Sequence, residues 1–108
     1  MVTEKAHRIS LGGDLGLRDA DTLRSELLDA ICTRPIVDID CSNLTGIDLS
    51  IVQILIAADR LAKGSGRTVR IFARQGGPLD NALSRAGLRT PSQAAPFELH
   101  WDRSGSAI

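Results

Sequence analysis

Aromatic side chains are scarce in this chain. They make up 3% of its 108 residues, tyrosine is absent, and the aromatic residues are Phe72, Phe97 and Trp101. Proteins that hold single-stranded nucleic acid stack bases on such side chains and carry a concentrated stripe of basic charge. Here 13 basic residues balance 13 acidic ones. We therefore expect no nucleic-acid partner, and a core built from aliphatic side chains.

Cysteine and histidine are also rare. Cys32 and Cys41 form no Cys-x-x-Cys pair, and His7 and His100 lie near opposite ends of the chain. Zinc and similar metals need several such ligands at short spacings. We therefore predict no metal site and no cofactor. Two reduced thiols are favoured over a disulfide bond, because the sequence also predicts a cytoplasmic protein.

That predicted location follows from two further absences. No basic segment with an apolar leader opens the chain, and no apolar run approaches the roughly 18 residues that a membrane span requires. We therefore expect a cytoplasmic protein with no direct membrane insertion. The charge is unevenly divided, since residues 1 to 58 carry 5 basic and 9 acidic side chains and residues 59 to 108 carry 8 and 4. Such polarity can steer a charged protein partner.

Two hydrophobic periods alternate along the chain. Apolar and polar residues that alternate predict strands, whereas a helical period predicts amphipathic helices. The strands are predicted at residues 6–11, 36–40, 68–72 and 97–101. The helices are predicted from Asp19 for about three turns, over residues 49–63, and from Pro78 to Gly87. Because strands alternate with helices, we expect parallel strand pairing.

The fold class predicted from these elements is α/β. We expect a small single domain over residues 1–101, with a mixed sheet of four to five strands and about four helices packed on one side. Gly12-Gly13 is predicted to end the first strand, and residues 90–96 look like a loop. Residues 102–108 are predicted to form a flexible tail.

A hydroxyl and a carboxylate stand together where the second helix is predicted to begin. The segment Gly46-Ile47-Asp48-Leu49-Ser50 leads into that helix. A helix N-terminus presents unpaired N–H groups and the positive end of the dipole, so Asp48 or Ser50 could cap it and a phosphate on Ser50 would be tolerated. Ser50 and Gln53 also fit a capping box. Both interpretations remain open at this point: a structural cap and a switch.

The second helix carries apolar residues on two sides. Its main apolar arc is predicted to face the sheet and comprises Ile51, Ile54, Leu55, Ala58, Leu61 and Ala62. Val52 and Ile56 stand one turn apart on the opposite side, directly after Ser50. If nothing covers them, they form a small apolar patch with a polar rim, which is typical of a contact surface. The alternative is that the third helix or the terminal segment packs there.

The order of these elements, together with residues 43–50, resembles the STAS domain, named for sulfate transporters and anti-sigma factor antagonists. The resemblance extends over most of the chain, including residues 13–15, 37–42 and 83–88. It implies an STAS-type fold and a regulatory role. It also implies that the turn before the second helix is the functional site.

Antagonists of this family carry Asp-Ser-Ser-Gly or a near variant at that turn, and a kinase that is also the anti-sigma factor phosphorylates the second Ser. The resemblance therefore implies phosphorylation at Ser50, with Asp48 in the position of the Asp. Leu49 replaces the first Ser and Ile51 replaces the Gly. A β-branched residue after the hydroxyl restricts close approach by a kinase, which ranks partner binding ahead of phosphorylation.

The function implied is a non-enzymatic interaction module. Its partner-binding residues would be Asp48, Leu49, Ser50, Val52, Gln53 and Ile56. The partner would be an anti-sigma factor that is also a serine kinase, or a histidine kinase of a chemotaxis-type system, whose STAS proteins the Asp-Leu-Ser-x-x-Gln form resembles. The chain is also similar to constitutive STAS subunits of bacterial lipid-transport ATPases. We expect no catalytic residues, because the sequence has no glycine-rich phosphate loop, no Ser-His elbow and no metal cluster.

Overall fold

The computed structural model describes residues 7–87 and the backbone of residues 99–102. Over these residues the strands are β1 (His7–Leu15), β2 (Ile36–Ile47), β3 (Thr68–Arg74) and β4 (Leu99–Asp102). The helices are α1 (Ala20–Thr33), α2 (Leu49–Gly64) and α3 (Pro78–Arg85), with a single 3-10 turn at Leu17–Asp19 before α1. The predicted loop at residues 90–96, the start of the predicted last strand and most of the predicted tail lie outside the described residues.

The four strands form one sheet in the order β1-β2-β3-β4, and each neighbouring pair is parallel. Each helix connects two neighbouring strands, and residues from all three helices enter the same hydrophobic core as Val37, Ile39 and Cys41 of β2. The helices therefore pack on one side of the sheet. The expected mixed pairing is not found in the described part of the chain, because a helix lies between each pair of consecutive strands and lets them run parallel. A fourth α-helix is not found there either.

The first two strands are longer than predicted. Gly12-Gly13 does not end β1, which continues to Leu15 with register shifts on either side of this pair. Gly13 has a φ of 74°, a left-handed conformation that glycine adopts without strain. β2 continues to Ile47 beside the extension of β1. The start of α2 therefore lies at the carboxyl edge of the sheet, directly after the paired ends of β1 and β2.

The face of the sheet opposite the core carries polar side chains that form ion pairs and hydrogen bonds with one another. Arg70 donates to both carboxylate oxygens of Asp38, at 2.6 and 2.9 Å. Arg8 donates to Oδ2 of Asp40 at 3.0 Å, and Oδ1 of Asp40 accepts from the Ser42 hydroxyl at 2.6 Å. Burial alone would raise the pKa of Asp40, but the hydrogen bonds from Ser42 and the ion pair with Arg8 leave its pKa lowered.

The predicted helices α2 and α3 are confirmed with small changes at their ends. α2 runs one residue further than predicted, to Gly64, and α3 begins with Pro78 in its first turn. Proline suits that position because the N–H it lacks has no partner in a first turn. No helix in the described ranges is long and apolar enough to cross a membrane.

Candidate functional site

The start of α2 lies at the carboxyl edge of the sheet, held against β1. Asp48 precedes the helix in an extended conformation, and its N–H donates to the carbonyl of Leu15 at 3.0 Å. The hydroxyl of Ser50 donates to Oδ2 of Asp48 at 2.8 Å. The hydroxyl and the carboxylate that the sequence places at this turn are therefore directly paired.

This pairing replaces the capping that the sequence predicts. Asp48 is the N-cap residue, but its side chain accepts no capping hydrogen bond from a backbone N–H of the first turn. Ser50 is the second residue of the helix, so the predicted capping box between Ser50 and Gln53 is wrong, since that motif requires the Ser at the N-cap. The carboxylate is instead directed at the hydroxyl of Ser50. Helix capping alone does not account for the arrangement.

The residues around Ser50 divide sharply between exposed and buried. Leu49 is 47% exposed, Asp48 and Gln53 are exposed, and Ser50 is half-buried. Ile51 is fully buried in the core. The β-branched side chain that follows Ser50 therefore points inward, away from the surface that the hydroxyl reaches.

The apolar patch predicted at Val52 and Ile56 is not an exposed surface. Val52 is 0% exposed and belongs to the core, and Ile56 is half-buried and packs against that core. Helix α3 packs beside α2 and contributes Leu79 and Leu83 to the same core. The expectation of an uncovered patch is therefore wrong. Of the two alternatives, the third helix and the terminal segment, α3 does pack beside α2, whereas most of the terminal segment lies outside the described residues.

An open apolar surface is found instead on the side of α2 that faces α1. A groove of about 730 Å³ runs between the two helices and ends beside Ser50 and Gln53. Leu17 is 73% exposed at its edge, Leu28 is 43% exposed and Leu61 is 39% exposed. Leu61 had been assigned to the sheet-facing arc, so its exposure is a second correction. No pattern noted in the sequence indicates this groove; its only local signal is Leu28, which is exposed while Leu23, Leu27 and Ile31 of the same helix are buried.

A polar pocket lies on the other side of the turn. It encloses about 430 Å³ between the carboxyl ends of β1 and β2 and the start of α3, and its lining includes Asp14, Thr45, Asn81 and Arg85. A Cβ at Gly46 would lie 2.5 Å from Oδ1 of Asp14, so a larger residue there would displace this exposed carboxylate. The Asp48–Ser50 turn thus stands between an apolar groove and a polar pocket.

The thiols and carboxylates do not suggest a reaction centre. Cys41 is buried, and burial, aided by the charge of Asp40, raises the pKa of its thiol to about 12. Cys32 is exposed and unpaired with Cys41. Among the residues that the structure describes, no group of three or more His, Cys, Asp or Glu side chains could hold a metal ion.

Comparison with known protein families places the chain in a family. A family model described as "Mlab, STAS domain" matches residues 2–91, which is most of the chain. No curated protein matches the chain. The family match covers the whole of β1, β2, α2 and the Asp48–Ser50 turn.

Proposed function

The chain belongs to the STAS domain family, and from this premise we propose that it docks a regulatory protein partner through the start of α2 and releases it when Ser50 is phosphorylated. STAS domains are generally interaction modules without catalytic activity. The observation that carries the proposal is the hydrogen bond from Ser50 to Asp48 at an exposed helix start.

The docking surface consists of Asp48, Leu49, Ser50 and Gln53. Leu49 supplies an exposed apolar side chain at its centre, and the other three supply polar groups around it. Small protein interfaces often combine an apolar centre with a polar rim. Val52 takes no part because it is buried, and Ile56 contributes at most its exposed edge.

Phosphorylation acts on this surface through charge. The oxygen of Ser50 bonds to the γ-phosphorus of the kinase's ATP, its proton leaves toward the Asp48 carboxylate, and ADP departs. The phosphate adds about −1.5 to −2 charges at pH 7, beside a carboxylate that now accepts from the hydroxyl at 2.8 Å. The helix N-terminus partly accommodates the anion. A partner that buries Leu49 would have to desolvate the phosphate, so its affinity falls.

The partner class is an anti-sigma factor with serine-kinase activity, or a histidine kinase of a chemotaxis-type system. The first would phosphorylate the surface to which it binds, as the Asp48–Ser50 pair supports. The second would use the same surface without modifying it. Identification of the protein that co-purifies with the tagged chain from its own cells distinguishes the two classes.

A second candidate function is a constitutive subunit of a lipid-transport ATPase. Leu49 favours it, because this exposed apolar side chain stands where phosphorylated antagonists carry a hydroxyl. A docking surface centred on Leu49 remains apolar without any modification. In this function the module braces its partner permanently, and Ser50 only orients the turn.

Calorimetry with the co-purified partner tests the switch. We expect Ser50→Ala to bind within about threefold of the unmodified chain, and Ser50→Asp to bind at least about tenfold more weakly, because a fixed charge enters the interface. The matched control is Ser65→Asp, which adds the same charge at the opposite, exposed end of α2 and should leave the affinity unchanged. Equal affinities for the two Ser50 variants would exclude the switch and leave a docking surface that is not regulated at Ser50, as in the constitutive subunit or with a histidine-kinase partner.

A further inference from the structure

We propose that α1 is also an interaction surface, on which a second copy of this chain docks antiparallel to form a two-fold symmetric dimer. The inference goes beyond the proposed function and does not depend on Ser50. It follows from one line of side chains along α1 and the 3-10 turn before it. That line consists of Leu17, Asp21, Arg24 and Leu28, and we call it the α1 stripe.

The α1 stripe has the spacing of a helix-pairing seam. Asp21, Arg24 and Leu28 are three and four positions apart on α1, and Ile31 continues this pattern into the core. Leu17 lies in the 3-10 turn before the helix and lines the same edge of the groove. Spacings of this kind keep side chains on one line of a helix and are typical of the seam between paired helices. The four stripe residues are all exposed, and all four line one edge of the groove between α1 and α2.

The two charges in the stripe have no partner within the described part of the chain. Asp21 and Arg24 take part in none of its ion pairs or side-chain hydrogen bonds, and together they lie between the exposed Leu17 and Leu28. Opposite charges between apolar residues on a pairing seam generally set the orientation and register of the partner. The partner should therefore present the complementary order of residues.

A second copy presents that order when it runs antiparallel. In a two-fold dimer, if residue i meets residue j, then j also meets i. With the axis level with the midpoint between Asp21 and Arg24, Asp21 of each copy lies opposite Arg24 of the other. The same register places Leu17 opposite Leu28, again twice. In this arrangement each charge of the stripe meets an opposite charge and each leucine meets a leucine.

Other alignments of the two copies place like charges, or a charge and a leucine, opposite one another. A parallel pair would set Asp21 against Asp21 and Arg24 against Arg24, and like charges at close range destabilise an interface. An antiparallel pair shifted by one turn would set a charge against Leu28 or Leu17. The register stated above is therefore strongly favoured over its neighbours.

The groove gives the second copy an apolar floor to contact. Leu27, Ile54 and Ala58 lie along it between the two helices, and Leu61 forms part of its far edge. Because α1 and α2 both return from the carboxyl edge of a parallel sheet, they run side by side, and a third helix can lie over the groove between them. The exposed leucines of the partner's stripe would enter it.

Sedimentation velocity with charge-swapped variants tests the dimer. The chain has a mass of 11.6 kDa, and we expect a species of twice that mass at high micromolar concentration. Asp21→Arg and Arg24→Asp should each weaken dimerisation about tenfold or more, because each places like charges opposite one another. The combined D21R/R24D variant restores opposite charges and should recover the dimer. A monomer at all concentrations, or a double variant as weak as the single ones, would overturn the proposal.

Disulfide trapping tests the register independently. In a Cys32→Ser background, which removes the exposed thiol, a Leu17→Cys and Leu28→Cys double variant should form covalent dimers under diamide oxidation, since facing Cα atoms can approach within about 7 Å. Leu17→Cys alone should not, because its two copies would lie about 16 Å apart along the helices. Thermal denaturation checks that each variant folds. Equal trapping of the single and double variants would contradict the register and overturn the antiparallel dimer.

Discussion

The two long sides of α2 differ in what covers them. On the side of α3, Val52 is 0% exposed and forms part of the core. On the side of α1, Leu61 remains 39% exposed and a groove stays open between the helices. One helix thus has a closed apolar side and an open one. The apolar residues of a helix therefore do not show by themselves which of its sides is buried, because that also depends on where the neighbouring helices pack.

The largest expected difference between these two sides is in stability. Val52→Glu should lower the free energy of unfolding by at least about 4 kcal/mol, because it puts an unpaired charge into the core. Leu61→Glu should lower it by less than about 1 kcal/mol, because that side chain can reach water. Urea denaturation followed by circular dichroism measures both. A folded Val52→Glu variant of near-normal stability would contradict the closed side.

The next largest difference concerns the two thiols. Cys32 is exposed and should react at once with a maleimide, whereas Cys41 is buried and its pKa is raised to about 12. Cys41 should react at least about 100-fold more slowly, at a rate set by opening of the fold. Mass spectrometry over a time course measures both rates, and Cys41→Ala is the control that identifies the slow site. Equal rates would mean that the reagent reaches Cys41 in the folded chain, which would contradict its burial in the core.

The smallest expected effect is a dependence on pH at the polar face of the sheet. The pKa of Asp40 is lowered in the folded chain, so its ionised form stabilises the fold above its ordinary pKa of 3.8. That contribution is lost as the pH falls through the folded pKa. Asp40→Asn should therefore show a weaker loss of stability below pH 4 than the unmodified chain. Urea denaturation at a series of pH values measures it, and parallel curves would contradict the assignment.

Much of the fold could be predicted from local patterns in the sequence. The period of residues 49–63 and the proline at position 78 predicted α2 and the start of α3, because helix period and helix starts are local properties. The length of β1 could not be predicted in this way. Gly12-Gly13 reads as a strand end, yet the neighbouring β2 continues beside it and supplies backbone partners across two register shifts. Strand ends depend on the partner strand, which no local pattern contains.

The local geometry of the proposed site could be predicted from the sequence, but the surface around it could not. Asp48 and Ser50 are adjacent at the start of α2, as the sequence suggested, and they bond to each other. The surface beside them was assigned to Val52 rather than to the groove, because a helical period alone does not say which flank α3 covers. The ion pair between Arg70 and Asp38 could not be predicted from local patterns either, because neighbouring strands come from distant parts of the chain.

The most direct test of the proposed docking is a map of the surface that the partner covers. The chain, labelled with ¹⁵N, is titrated with its co-purified partner, and amide chemical-shift changes are measured by NMR. We expect the largest changes at Asp48, Leu49, Ser50 and Gln53, and we expect them to disappear in the Ser50→Asp variant. Changes concentrated instead on the exposed residues of α3, with the α2 start unaffected, would contradict it.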